Sequence, residues 1–229
     1  MIFTSIARGW HDLMRPGALK ILIKGIGLAL GMLIAAGIGL GWLVNLLMPD
    51  TVSLPWIGQV NWVHAAAGWT AVGLFLFASV FLMVPVASVF TGFFLEDVAE
   101  LVERTHYPTL PEVRPLGLIE GLGDTLRFFG VVVAANIVAL LVYPFVIPFA
   151  PMLFLALNGY LLGREYFQMA ARRRMGRDAA RDLYRRNAPV VWMTGSIMAL
   201  PLAIPVLNLV VPVVGAAAFT HLFHRLARR

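Results

Sequence analysis

Charged residues divide the chain around four long uncharged runs, residues 25–48, 62–95, 128–162 and 190–223. The first holds 24 residues, about 36 Å as an α-helix, enough to cross a hydrocarbon core of about 30 Å. The second holds 34 residues, or about 51 Å. It therefore tilts, bends at Pro85 or runs on into the cytoplasm, where Glu96, Asp97, Glu100 and Glu103 close it. The third and fourth runs are as long, but prolines break them: Pro144, Pro148 and Pro151 in one, Pro201, Pro205 and Pro212 in the other. The arms 128–143 and 152–162 would measure about 24 and 17 Å as helices, the second too short for the core. The fourth run repeats the design, with arms of similar shortness. Both read as half-penetrating hairpins, whose irregular backbone must be buried in protein or line a wet cavity. Paired Pro-interrupted segments of this kind point to a transport site.

Smaller elements fill the gaps. Phe3, Ile6, Trp10 and Leu13 follow a 3-4-3 spacing, with Arg8, Asp12 and Arg15 largely off that stripe, so residues 1–16 predict an interfacial helix. Pro16-Gly17 ends it. Gly27, Gly31, Ala35 and Gly39 make a smooth ridge on the first span, suited to close approach by another helix. Residues 104–127 are turn-rich, with an amphipathic approach helix at 118–127. The expectation is an all-α integral membrane protein forming a single domain over residues 1–229. It has spanning helices at 21–48 and 62–95, Pro-broken re-entrant hairpins at 128–162 and 190–223, and the interfacial helix at 1–16.

Composition agrees: the chain is 60% hydrophobic and 13% charged, far from a soluble domain. With no cysteine, disulfides, thiolate metal sites and cysteine nucleophiles are all excluded. The 18 Lys and Arg exclude a single crossing by either Pro-broken run, while returning hairpins and six full spans satisfy them equally. Four lie in residues 1–24, three in 96–127, eight in 163–189 and three in 224–229, with none in 49–61. Short basic loops stay in the cytoplasm, so each Pro-broken run must return to the side it entered. Both termini are then cytoplasmic, in a multi-pass membrane protein. A net charge of +6 could suggest nucleic acid, but the basic residues flank the apolar runs, where topology and anionic lipid account for them. No nucleic-acid partner is expected.

Candidate chemistry is sparse. There is no Walker-type phosphate loop, no zincin His-Glu pair and no Gly-x-Ser-x-Gly elbow, so neither an enzyme nor a cofactor is expected. Glu96, Glu100 and Glu103 share a helix face, read as a solvated helix end or as a charged pore mouth paired with Arg104, Arg114 or Arg127. His221 and His224 lie one turn apart beside Arg225; two ligands are too few for a metal, and none is expected. Most polar groups inside the apolar runs (Asn136, Thr194, Ser196) suit interhelical hydrogen bonds. Asn158 and Asn208, each in a hairpin arm beyond a proline turn, are the preferred pore-lining residues, with Glu96 and Glu100 beside them. The arginines at 172–174, 177, 181, 185 and 186 read as a membrane-surface feature or an electropositive vestibule.

Three stretches carry a resemblance. Ile204-Pro205-Val206-Leu207-Asn208-Leu209 with Pro212-Val213-Val214-Gly215-Ala216-Ala217-Ala218-Phe219-Thr220 resembles the C-terminal signature of the CysZ-type sulfate permeases and the wider etoposide-induced membrane protein superfamily. Phe90-Thr91-Gly92-Phe93-Phe94-Leu95-Glu96 is similar to the family's segment after the second long helix, and residues 157–166 to the exit of its first hairpin. The resemblance implies re-entrant hairpins, a homo-oligomer, and ATP-independent uptake of sulfate or a similar small anion for cysteine synthesis. It also implies an anion site at a Pro-Gly-apolar-Arg-Arg motif, here Pro16-Gly17-Ala18-Leu19-Lys20, with Leu19 in place of the first Arg. Gly17, Ala18, Leu19 and Lys20 are thus the substrate-binding candidates, and Arg15 or Lys24 would have to supply the missing charge. Lys20 gives charge without the guanidinium fork that suits an oxyanion. A non-transporting membrane protein that organises envelope lipid or scaffolds partners is the alternative reading.

Overall fold

Helices dominate the chain because the uncharged runs leave no water for backbone groups to bond, and a helix satisfies them internally. The computed structural model describes residues 1–47, 52–54, 58–60, 66, 68–79, 86–87, 94–111, 113, 130–131, 134–135, 137–138, 141–142 and 147–228. Helix α1 (Ile2–Leu13) and helix α2 (Pro16–Leu47) are parted at Met14 and Arg15; Pro16 stands at the first position of α2, so the long helix begins at the turn and not at residue 21. A two-stranded antiparallel ribbon, β1 (Val52–Leu54) with β2 (Gly58–Val60), pairs Val52 with Val60 and adds a short hairpin to the all-α expectation. Helix α3 (Gly68–Ser79) is the described part of the 62–95 run, and α4 (Leu95–His106) follows its end. Most of the rest of that run, the approach helix at 118–127, Asn136 and most of the arm 128–143 lie outside the described residues.

After a 3-10 turn at Ile147–Phe149 come α5 (Ala150–Met175), α6 (Arg177–Arg186) and α7 (Ala188–Ala199). A second 3-10 turn, Leu200–Ala203, leads into α8 (Pro205–Ala227). Gly176 separates α5 from α6 with φ 78°, a left-handed conformation that glycine adopts without strain.

Two expectations about the arms are corrected. The arm expected to end at residue 162 belongs to α5, a helix of 26 residues that continues through the arginines to Met175. Hydropathy ends at Leu162, but Arg, Glu, Gln, Met and Ala are good helix formers, so the helix does not. The last arm is not short either: α8 has 23 residues, about 34 Å, and keeps Pro212 inside it. Proline removes one N–H from the ladder, a loss that enclosing helices offset. Among the described residues, two helices are long and apolar enough to cross a membrane, Pro16–Leu47 and Leu207–Ala227.

The core is built around α8, whose residues 211–224 are all buried. It packs against α1, α5 and α4, while α7 packs mainly on α5, so α5 lies against both helices of the last run. Val213, Phe219 and Leu222 of α8 meet Leu13 of α1, Val98 and Val102 of α4, and Phe167 of α5 in one apolar cluster. The α5–α7 crossing is close. A Cβ on Gly195 would strike the carbonyl of Gly159, and one on Gly159 would strike Ser196, so both positions require glycine. Among the described residues nothing lies within 4 Å of a Cβ built at Gly27, Gly31 or Gly39 on the α2 ridge. Gly37, in a different phase, meets Phe75 of α3 instead.

Candidate functional site

Three helices remote in sequence meet at a buried carboxylate. Asp12 of α1 is 2% exposed, although its place off the apolar stripe of residues 1–16 assigned it to the polar side. Oδ1 accepts from His106 Nε2 of α4 at 2.8 Å and from Arg15 Nε at 2.9 Å, and Oδ2 accepts from His221 Nε2 of α8 at 2.9 Å. A carboxylate only accepts, so both imidazoles present N–H at Nε2. In the neutral His221 ring Nδ1 then accepts from the Tyr107 hydroxyl, 3.0 Å away. Burial would raise the Asp12 carboxyl, but the hydrogen bonds donated by His221 and His106 outweigh it and hold the group well below the usual carboxylate range.

A second junction lies one turn further along α8. His224 Nε2 donates to Glu103 Oε1 at 2.9 Å, and Arg174 of α5 binds the same carboxylate with Nε and Nη2 at 3.0 and 2.8 Å. This is a bidentate fork, the strongest geometry for such a pair. Burial acts to raise Glu103, but the bonds from His224 and Arg174 and the charges of Arg173 and Arg174 bring it down from 4.5 to about 2. Glu103 is therefore not part of a solvated helix end. Its arginine is Arg174; of the expected partners, Arg104 pairs with Glu100 at the surface, and Arg114 and Arg127 lie outside the described residues.

Sequence reasoning missed both junctions. The local signal was present, since Asp12 and Arg15, Glu103 and His106, and His221 and His224 each sit three residues apart on one helix face. Their partners are 71 to 209 residues away along the chain, a distance that helix spacing does not reach. Asp12, His106 and His221 also form a group that could hold a metal ion, their ligand atoms lying within 4.8 Å of one another. To enter, an ion would displace an N–H proton from each ring and face the Arg15 guanidinium. As built, the group is a hydrogen-bonded latch joining α1, α4 and α8.

The expected anion site lies beside the latch. Gly17 sits beneath Leu101, Ala18 is 1% exposed, and Arg15 is bound to Asp12, whereas Leu19 and Lys20 face outward. The crevice that Arg15 and Ala18 line with Leu101 and Thr105 has no room for a water molecule. Lys24 lies over the Phe94 ring, 5.9 Å from its centroid.

The pore-lining candidates divide into two groups. Asn158 of α5 and Asn208 of α8 line one cavity of about 480 Å³, with Tyr166, Leu202 and Pro212. The Asn158 amide donates to the Phe154 carbonyl at 2.9 Å. Pro212 has no N–H, so the Asn208 carbonyl four residues earlier lacks its helical donor at this cavity. Glu100 lines a different cavity with Arg104 and Arg173, and the Glu96 side chain is exposed. The arginine cluster divides as well: Arg173 and Arg174 turn to α4, while Arg172, Arg177, Arg181 and Arg185 line a cavity between α5 and α6.

Comparison with known proteins gives one family. The family model described as "EI24: Sulfate transporter CysZ/Etoposide-induced protein 2.4" matches residues 5–212, which takes in the latch residues Asp12 and His106, the Gly17–Lys20 turn and both asparagines. No curated protein matches the chain.

Proposed function

The chain belongs to the sulfate transporter CysZ/etoposide-induced protein 2.4 family, and from that premise we propose an ATP-independent membrane permease for sulfate or a related oxyanion, feeding sulfur assimilation. The observation that carries the route is the convergence of Asn158 and Asn208 on one cavity. Each comes from a different Pro-broken run, and paired broken helices are where transport sites form. Side-chain amides offer N–H donors to an oxyanion without a fixed charge that would trap it. Capture begins at the turn Gly17–Lys20, where Lys20 is the exposed cation and Arg15 is engaged with Asp12. The two hairpins enter and return on the cytoplasmic side of a bacterial inner membrane, α1 lies at the interface, both termini are cytoplasmic, and the protein is a homo-oligomer.

Radiolabelled sulfate flux into liposomes holding the purified protein tests this, with selenate and chloride as competitors. Selenate-competed flux, lowered in Lys20→Ala and in Asn158→Leu/Asn208→Leu, is the expected result. Folded, inserted protein that moves no sulfate refutes the permease. A second reading, a non-transporting protein that organises membrane lipid, draws on the arginine-lined cavity, because a lipid phosphate suits guanidinium groups as well as sulfate does.

A further inference from the structure

Helix α5 presents two different faces. Phe154, Asn158, Leu162 and Tyr166 repeat every fourth residue along the asparagine cavity. Tyr160, Arg164, Gln168 and Arg172 repeat in the same way along the cavity shared with α6, about 660 Å³ in volume. The two stripes are offset by two residues, about 200° around a helix, so they face opposite ways. Across the second cavity α6 answers with Arg177, Arg181 and Arg185, again at every fourth position.

Topology alone does not account for this. The positive-inside rule counts basic residues near a membrane and is indifferent to the helix face they occupy. Here five arginines line one cavity with only two carboxylates, Glu165 and Asp178, an excess of three positive charges. Like charges four residues apart oppose helix formation, and both helices stack them toward the same space. Gln168 accepts from Arg172 Nε at 3.0 Å, which fixes the plane of that guanidinium. The tyrosines Tyr160 and Tyr184 add hydroxyl donors at the same walls.

We infer that the cavity between α5 and α6 binds a tetrahedral oxyanion, a sulfate or phosphate group held by Arg164, Arg172, Arg177, Arg181 and Arg185. The group comes either as a free ion or as the head of an anionic phospholipid whose chains lie along the apolar half of α5. As a free ion it deepens the permease reading and rests on it, supplying a charged reservoir separated by α5 from the asparagine cavity. As a lipid head it stands without transport.

The test uses the full chain in uncharged detergent, titrated calorimetrically with sodium sulfate, with sodium phosphate, and with short-chain phosphatidylglycerol against phosphatidylcholine. The variants are Arg177→Gln/Arg181→Gln and, as control, Arg186→Gln, which is exposed and one residue out of phase with the α6 stripe. Circular dichroism melting confirms that each folds. Loss of at least one charge-assisted hydrogen bond predicts weakening of about tenfold or more in the double variant and none in the control. Weakened sulfate and phosphate binding identifies the free ion as occupant; weakened phosphatidylglycerol binding alone identifies the lipid. Equal binding by wild type and double variant, for all four ligands, overturns the inference. Sulfate flux measured on the same preparations keeps the two ideas apart. Flux with unchanged binding in the double variant removes the cavity and leaves the permease. Binding lost in the double variant, with no flux in the wild type, does the reverse.

Discussion

Helices α2 and α8 are both long and apolar enough to cross a membrane, yet the surrounding protein treats them in opposite ways. Of the most apolar stretch of α2, 22% is buried within the chain; of α8, 78%. Ile38, Trp42 and Leu47 of α2 face outward, 65–70% exposed, as side chains solvated by lipid do. Helix α8 carries Gly215, Ala216, Ala217 and Ala218, whose small size lets α1, α4 and α5 close around it. It also carries His221 and His224, which an apolar helix accepts only where partners are built in. Apolarity therefore marks both helices as fit for the membrane, while side-chain size and partnered polar groups distinguish the one that faces protein.

The contrast can be broken most directly at the latch. Asp12→Ala leaves two histidines and Arg15 without their acceptor and should cost about 3 kcal/mol, the scale for a buried donor left unsatisfied. Chemical unfolding in detergent measures it; a loss below about 1 kcal/mol would mean that α8 is held by apolar packing alone. Next comes size. A Cβ on Gly215 runs into the ring of Tyr166, so Gly215→Leu should cost about 3 kcal/mol through overpacking. Gly31→Leu on α2, where a Cβ meets nothing within 4 Å among the described residues, should shift the same unfolding curve by no more than about 0.5 kcal/mol. Equal losses from the two would erase the distinction between the helices.

Acid sharpens the comparison further, since Glu103 anchors α8 but not α2. Its carboxyl falls from 4.5 to about 2 on folding, so its stabilisation is complete above pH 4.5 and is lost as the pH drops toward 2. Melting temperature followed across that window should decline less steeply for Glu103→Gln than for the wild type. Parallel declines would show that Glu103 does not anchor α8 through its charge. The smallest effect belongs to Arg104→Ala, which removes a surface pair with Glu100, the two side chains 72% and 46% exposed. A change within about 0.5 kcal/mol is expected from the same unfolding assay, because solvent screens such pairs.

Much of the helical plan was legible. Pro16-Gly17 ends α1 and starts α2, and the uncharged run after it gives a long apolar helix, because backbone restriction and hydropathy are local properties. The ends of α5 and the length of α8 were misjudged, since hydropathy reports where apolar surface stops and a proline reports only one missing donor. Asn158 and Asn208 were selected for their places beyond proline turns, and the fold brings them to one cavity. Glu100 was selected for its helix face and lies at another. The burial of Asp12 escaped notice altogether, because its position on an isolated helix points away from the apolar stripe.

The sequence by itself determined the membrane class, the first long apolar helix and the family, each a sum over local composition, spacing and short motifs. Tertiary structure alone decided which charges are buried, which arginines share a cavity and which apolar helix faces protein. Those depend on the meeting of residues up to 209 positions apart, and a helical period of 3.6 residues carries no information over such a separation.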